Sequence, residues 1–425
     1  MFVRKLLKLN KNHKIILIVG VGLITGFVLI SQGNILGRLA GKKDLQVYAS
    51  EILETCSKEP YAPGCYDREV PKLMTYLSME ETFNVVKLIQ EESREYLFCH
   101  VVAHAISDVE TKKDPSKWME VVSRCPVTMC NNGCPHGAIM ERFQSETLSE
   151  KQIAQALPDL KNVCEPREGW NPTEVERSMC YHGGGHVGMY VTGGDVDKSL
   201  ELCREIAIKD DGRNYYQTCV QGIFMLVFQG LEPEDFALVA DIKPEKEELE
   251  EYCGQYSGTE FFACRTEAWP LFFSEIKTPE GLVNFCSFTS DHWGQTWCYG
   301  TGFGLISLEL LERGENSGVE AVSDYCMALP DTRQAQCYAN ASSRFVQVDP
   351  KYTEQAVALC ELAEKFGKSE YCYHDLLFYS RYSFHEGSQA LKEYCGHFDE
   401  IRKKKCLDGD VPNEFYFFDT EQSSF

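Results

Sequence analysis

A short segment that begins with cysteine and continues in apolar residues recurs along the whole chain. Its nine copies begin at Cys65, Cys134, Cys180, Cys219, Cys264, Cys298, Cys337, Cys372 and Cys406. They lie 34 to 46 residues apart, except for one gap of 69 residues. Within that gap "FCHVVAHAIS" has Phe98 at the cysteine position and divides it into 33 and 36 residues. A period of this length is typical of stacked two-helix units, so the sequence predicts an all-α array of about ten units.

A second cysteine ends a helical apolar pattern ahead of nearly every one of these segments, as in "ILETC", "LKNVC" and "VSDYC". It stands 9 to 16 residues before its partner, which leaves room for one turn between two helices. A disulfide between the end of one helix and the start of the next would add roughly 2 to 3 kcal/mol by restricting the unfolded chain. Cys99 and Cys130 remain and are paired with each other. The predicted pairs are Cys56–Cys65, Cys125–Cys134, Cys164–Cys180, Cys203–Cys219, Cys253–Cys264, Cys286–Cys298, Cys326–Cys337, Cys360–Cys372, Cys395–Cys406 and Cys99–Cys130.

The period and the two helices per unit make residues 45 to about 410 resemble the tetratricopeptide and Sel1-like α-solenoids. The chain resembles especially the cysteine-rich Sel1-like proteins, which have a disulfide in each helical hairpin. The resemblance implies a right-handed helical-repeat solenoid with one disulfide per junction. Known members are mostly protein-binding scaffolds, and the resemblance implies the same role here.

Local signals predict where the second helix of a unit begins and where it is interrupted. N-cap residue types precede six of these helices, at Thr173, Asp211, Thr259, Asp291, Asp331 and Ser369. Three prolines, Pro71, Pro270 and Pro412, stand six residues after a repeat cysteine. Proline lacks the amide proton that a helix interior needs, so we expect these three helices to be interrupted or to begin later.

The N-terminus carries one membrane-spanning pattern, "IILIVGVGLITGFVLI" at residues 15 to 30, which flanking residues extend to 33. Five basic residues and no acidic one precede it. The positive-inside rule therefore predicts a cytoplasmic tail at 1–14, a transmembrane anchor at 15–33, a linker at 34–44 and an extracytoplasmic remainder of a single-pass protein in the cell membrane. A cleaved signal peptide is the alternative, although no small-residue cleavage site directly follows the apolar segment.

Composition agrees with export and excludes one class of partner. The chain has 20 cysteines, an even number typical of a disulfide framework outside the reducing cytoplasm. The formal net charge is −22, and the basic N-terminal tail contributes +5, which leaves −27 for the rest. Such acidity argues against nucleic acid and against anionic lipid surfaces. Within the exported part we predict histidine-containing repeats at 45–200, further helical repeats at 201–410 and a tail or cap at 411–425.

Five histidines and a methionine occupy two register positions of units two to four. We count positions from the repeat cysteine, or from Phe98 in unit two. Position two holds His100, His136 and His182, and position six holds His104, Met140 and His186. Residues four apart share one face of a helix, and helices in adjacent units pack about 8 to 10 Å apart. The sequence therefore predicts that these side chains converge.

Convergent imidazoles suit a transition metal, of which zinc, copper and iron are the candidates. Met140 as a ligand would favour copper, and Glu141 beside it would favour zinc or iron. Glycines at 137 and 183–185 lower helix propensity by about 1 kcal/mol each, a cost that close helix approach or space for a ligand would offset. Two alternatives to a metal site stay open, a structural polar cluster and a metal-free catalytic or ligand pocket.

Two functions follow from these patterns. The first is a membrane-anchored extracytoplasmic scaffold that binds a protein or cell-wall component of the envelope. The second is a metal-dependent envelope hydrolase, in which the histidines hold the metal and Glu141 is the general base that activates a metal-bound water.

Overall fold

The computed structural model describes residues 44–93, 99–126, 129–143, 147–230, 233–313, 318–413 and 415. Every regular element in this part of the chain is a helix, and the β-type pairing found there is limited to two isolated bridges. The predicted tail at 1–14 and anchor at 15–33 lie outside the described residues, as does most of the predicted tail at 411–425. Among the helices within the ranges given, none has both the length and the apolar composition needed to cross a membrane.

The helices follow the predicted pairing into units. Those of the first half are α1 (Leu45–Cys56), α2 (Ala62–Glu69), α3 (Met79–Glu92), α4 (His100–Lys113), α5 (Trp118–Ser123), α6 (Gly133–Phe143), α7 (Glu150–Asn162), α8 (Glu174–Thr192), α9 (Val196–Ala207), α10 (Tyr216–Gln229) and α11 (Pro233–Val239). Those of the second half are α12 (Leu249–Gly254), α13 (Gly258–Glu267), α14 (Phe273–Ile276), α15 (Pro279–Phe285), α16 (His292–Arg313), α17 (Val319–Met327), α18 (Asp331–Val348), α19 (Thr353–Glu364), α20 (Ser369–Ser383), α21 (Gln389–Gly396) and α22 (Glu400–Asp408).

Ten disulfides join the same pairs of cysteines that the spacing predicts, and no cysteine of the described residues is free. Nine of them connect the end of a first helix to the opening turns of the helix that follows it. The tenth, Cys99–Cys130, spans 31 residues and joins two units instead, at the starts of α4 and α6. In the chain-entropy picture a closed loop of that length contributes about 3 to 4 kcal/mol.

The second helices of successive units stack on one another. Contacts run in order through α4, α6, α8, α10, α13, α16, α18 and α20. The array also turns back on itself, since α8 contacts α20 and the short helix Cys130–Asn132 contacts α18. At one such meeting the Lys351 ammonium donates a hydrogen bond to the carbonyl of Gln90, at 3.3 Å. Units far apart in sequence are therefore packed against each other.

The local predictions at helix starts are confirmed in part. Thr173 caps α8 in a reciprocal capping box with Glu176, and the Asp291 carboxylate accepts a hydrogen bond from the amide of Gly294, at 2.7 Å. Elsewhere the predicted caps are wrong: Asp331 and Ser369 are the first residues of their helices, Thr259 lies inside α13, and Asp211 lies in the turn before α10. The turns there have other lengths, so the capping position moves by a few residues.

Two of the predicted proline interruptions are present as breaks in the helix. The helix α2 ends at Glu69 and the chain continues as a 3-10 helix from Pro71. Likewise α13 ends at Glu267, and a 3-10 helix with Pro270 in its first turn follows it. Pro412 lies after the end of α22.

Buried apolar side chains form two contiguous clusters, from Ala49 to Trp297 and from Ile276 to Cys406. The predicted boundary between the repeats at 45–200 and those at 201–410 falls inside the first cluster, and this division stays a prediction.

The helices α8 and α10 approach each other closely because a glycine of one faces a glycine of the other. A Cβ on Gly185 would overlap the carbonyl oxygen of Cys219, and a Cβ on Gly222 would overlap that of His182.

Gly184 and Gly185 provide a matched test of this close approach. A Cβ on Gly184 would meet only the terminal methyl of Ile206 at 3.0 Å and a sulfur at 4.0 Å. We expect Gly185→Ala to destabilise the chain by about 1 to 3 kcal/mol or more, because backbone atoms must separate. Gly184→Ala should be neutral or stabilising by up to about 1 kcal/mol, because alanine is the better helix former. Thermal unfolding of both variants measures the difference, and equal effects would contradict the packing described.

Glu267 is a buried carboxyl in the interior of the stack. Glu267, at the end of α13, is 7% exposed, and the Gln229 amide donates to it at 2.7 Å. Burial raises the pKa of Glu267 to about 7, against the opposing effects of that hydrogen bond and of the Arg344 guanidinium. The folded state therefore favours the protonated carboxyl.

The raised pKa of Glu267 predicts a pH-dependent stability. Its contribution is complete below about pH 4.5 and is lost as the pH rises through about 7, because ionisation is then easier in the unfolded chain. The loss amounts to about 3 kcal/mol. Relative to the wild type, Glu267→Gln should therefore gain stability between about pH 5 and pH 8, as measured by denaturant unfolding. Glu400→Gln, at an exposed side chain, is the control, and a pH-independent difference for Glu267→Gln would contradict the assignment.

Candidate metal centre

Three successive stacked helices bring the five predicted histidines into one cluster. Position two and position six lie one turn apart, so α4 and α8 each supply a pair of imidazoles, and His136 of α6 lies between the pairs. The centroid of the His136 ring lies close to the centroids of its four neighbours. The distances are 5.1 Å to His100, 5.5 Å to His104, 5.4 Å to His182 and 5.8 Å to His186. The predicted convergence is confirmed for all five rings, which we call the histidine cluster.

Within the cluster, His100, His104 and His136 form the tightest group. One ring nitrogen from each lies within 4.8 Å of the others. The Nε2 atoms of His100 and His104 are 3.0 Å apart. Two nitrogen donors about 2.0 to 2.1 Å from a shared ion would be separated by roughly 2.9 to 3.4 Å at angles of about 90 to 110°. The His100–His104 pair already has this spacing, and the three-histidine group could hold a metal ion once the His136 nitrogen moves closer to the pair.

Backbone carbonyls fix the protonation pattern of two of these rings. The Nδ1 atom of His100 lies 3.3 Å from the carbonyl oxygen of Cys130, and the Nε2 atom of His136 lies 2.7 Å from that of Met179. A carbonyl only accepts, so these nitrogens carry the protons and donate. The opposite nitrogen of each neutral ring then presents a lone pair. Such a hydrogen bond behind the ring is the usual way in which proteins orient a metal-binding histidine.

The lone pairs point into a dry environment. His100, His104 and His136 are at most 4% exposed, and the Nδ1 atom of His136 is buried without a hydrogen-bond partner. Burial holds the pKa of His100 and of His136 well below the usual histidine value, and the neighbouring imidazoles lower both further. The rings of His100 and His136 therefore stay neutral, which is the form that binds a metal.

The chain around Cys130 and the glycines of α6 and α8 shape the site. Cys130 has a left-handed backbone conformation, with φ of 52°, where the chain bends before α6 and presents its carbonyl to His100. A Cβ on Gly183 would meet the Cδ2 atom of His136 at 2.8 Å, and a Cβ on Gly137 would overlap the backbone of His104. Gly137 therefore allows the two helices to approach, and Gly183 leaves space for the imidazole of His136.

His182 and His186 form the other side of the cluster. Their ring centroids are 5.1 Å apart, and the Nε2 atom of His182 lies 3.2 Å from the sulfur of Met225 on α10. Met225 was not among the site residues predicted from the sequence. It occupies position six of unit five, the same register position as His104, Met140 and His186. This shared position is the sequence signal that could have identified Met225.

The two other predicted site residues lie in different surroundings. Met140 is 4% exposed and belongs to the hydrophobic core one turn after His136. Glu141 is paired with Lys112 at 3.4 Å and lies beside the carboxyl of Asp108. Burial and the Asp108 carboxyl raise the pKa of Glu141 to about 7. The polar contacts of Glu141 are thus with α4 side chains and not with the histidine cluster.

No known family model, no curated protein and no solved structure matches this chain.

The tautomer of His136 is a direct prediction of this geometry. In the metal-free chain we expect the proton on Nε2, because the Met179 carbonyl accepts it. Long-range ¹⁵N–¹H correlation on histidine-labelled protein distinguishes the two ring nitrogens. The exposed His397 should show averaged tautomers and serves as the control. A proton on Nδ1 of His136 would contradict the proposed direction of its lone pair.

Proposed function

We propose that this chain is an extracytoplasmic helical-repeat protein that binds a transition-metal ion through His100, His104 and His136. The observation that carries the proposal is the convergence of three buried ring nitrogens, one from each side chain, within 4.8 Å. The carbonyls of Cys130 and Met179 support it, since they orient two of the rings as ligands.

The donor set defines the class of metal. Neutral imidazoles suit zinc, copper and iron, and the cysteines are unable to serve as thiolate ligands because all 20 are in disulfides. Three protein ligands leave at least one coordination position for a further ligand. The deep burial of the group favours tight retention of the ion over rapid exchange with solvent.

Location and overall architecture belong to the same proposal. Ten disulfides are consistent with a compartment outside the cytoplasm. We place the chain in the cell membrane through the apolar segment 15–33, with its ten two-helix units in a right-handed solenoid. A protein or cell-wall component of the envelope remains the proposed partner of the surface.

The metal-dependent hydrolase is the weaker alternative. A general base must lie within hydrogen-bond reach of a metal-bound water. The carboxyl of Glu141 is instead held by Asp108 and Lys112. Retention of a metal is therefore the function that the geometry supports best.

Elemental analysis of the full chain, purified without a histidine tag, tests this function. We expect at least one equivalent of transition metal in the wild type. His104→Ala and His136→Ala should each weaken binding by at least about tenfold, because each removes a ligand. His374→Ala is the matched control, since His374 occupies position two of unit nine, outside the histidine cluster, and contacts Asp375. A folded wild type that binds no metal, or equal retention in all variants, would refute the proposal.

A further inference from the structure

The histidine cluster continues past the three-histidine group to the interface between α8 and α10. There His182, His186 and Met225 form a second set of donors, which we call the His–Met group. The Nε2 atom of His182 is 3.2 Å from the Met225 sulfur, and the rings of His182 and His186 have centroids 5.1 Å apart. The group uses no side chain of the proposed first site.

His182 makes a weak polar contact through its Nε2 atom. That atom faces the Met225 sulfur at 3.2 Å. A thioether sulfur is only a weak hydrogen-bond acceptor, so this contact satisfies the ring nitrogen poorly. With the ring proton on Nδ1, the Nε2 lone pair and the sulfur face each other, and a cation between them would bind both atoms.

His186 supplies an independent observation. It is 6% exposed, and its Nε2 atom is buried without a hydrogen-bond partner. A buried polar atom left unsatisfied costs about 1 to 3 kcal/mol, so such atoms call for a ligand or another specific reason. The unpartnered nitrogen lies in the ring next to His182, on the same face of α8.

We propose that His182, His186 and Met225 form a second metal site, and that its ion is monovalent copper. Thioether sulfur is a soft ligand that selects copper(I), whereas zinc sites in proteins use thiolate, imidazole and carboxylate. Nitrogen and sulfur donors at about 2.0 and 2.3 Å from one ion stand roughly 3.0 to 3.5 Å apart at angles of about 90 to 110°. The observed 3.2 Å falls within that range.

The His–Met group is less deeply buried than the three-histidine group. His182 and Met225 are half-buried, whereas His100, His104, His136 and His186 are buried. The side of the cluster at His182 and Met225 is therefore the more exposed one, and we expect an incoming copper ion to meet it first. His136 lies between the two groups, with its ring centroid 5.4 Å from that of His182 and 5.1 Å from that of His100.

Anaerobic titration of the full chain with copper(I), against a chromophoric competing chelator, tests the second site. We expect the wild type to bind two copper ions per chain. Met225→Leu keeps the side-chain volume and should weaken one of the two ions on the order of tenfold or more. Met189→Leu is the matched control, because Met189 is a fully buried methionine of α8 within the hydrophobic core, and it should bind copper as the wild type does.

X-ray absorption at the copper edge identifies the ligands directly. The copper-loaded wild type should show a sulfur scatterer that is missing in Met225→Leu and present in Met189→Leu. A wild type without copper–sulfur scattering would overturn the proposal, whether or not Met225→Leu folds. Unchanged copper affinity in a folded Met225→Leu would overturn it as well and would leave the contact with His182 as packing.

The same titration separates this site from the three-histidine group. His104→Ala should abolish one copper ion and retain the ion with the sulfur scatterer. If His104→Ala binds as the wild type does while Met225→Leu loses its copper, the first site fails and the second stands. If His104→Ala loses copper and Met225→Leu does not, the second site fails and the first stands.

Discussion

Every predicted unit of this protein except the second is organised by a sulfur bridge between the end of one helix and the opening turns of the next. A bridge at that place fixes both the distance between the helices and the rotation of the second helix about its axis. The same bridge recurs from Cys56–Cys65 to Cys395–Cys406, so the rotation recurs as well. A given register position therefore faces the same side in the nine bridged units. The Cys99–Cys130 bridge ties the second unit to the third, and side chains at equal positions meet in the stack.

Because the helices also approach each other closely, side chains at equal register positions come near enough to form one site. Gly185 and Gly222 let α8 and α10 meet backbone to backbone, and Gly137 does the same between α6 and α4. Three helices at this spacing place ten imidazole nitrogens in a small volume from which water is largely excluded. Burial keeps the rings of His100 and His136 neutral, and the carbonyls of Cys130 and Met179 decide which nitrogen of each of these two rings carries the proton. The exceptional Cys99–Cys130 bridge joins the starts of the two helices that carry the three-histidine group.

The sequence predicted nine cysteine pairs and the convergence of the histidines because both depend on spacing alone, and Cys99–Cys130 followed because those two cysteines remained. Contacts that depend on the direction of a side chain were not predicted from the sequence. Glu141 follows His136 by five residues, which rotates it by roughly 140° about the axis of α6 and away from the cluster. Met225 was missed since a lone methionine on an apolar helix reads as core. The contact between α8 and α20 also left no mark in the repeat, because it depends on the curvature of the whole array.

Anomalous X-ray diffraction from crystals of the metal-loaded full chain tests the central claim most directly, because it locates sulfur and metal together. The account predicts ten close sulfur pairs, nine of them between consecutive helices, and a metal peak about 2.0 to 2.1 Å from ring nitrogens of His100, His104 and His136. Unpaired sulfurs, pairs between distant units, or a metal peak remote from these imidazoles would contradict it.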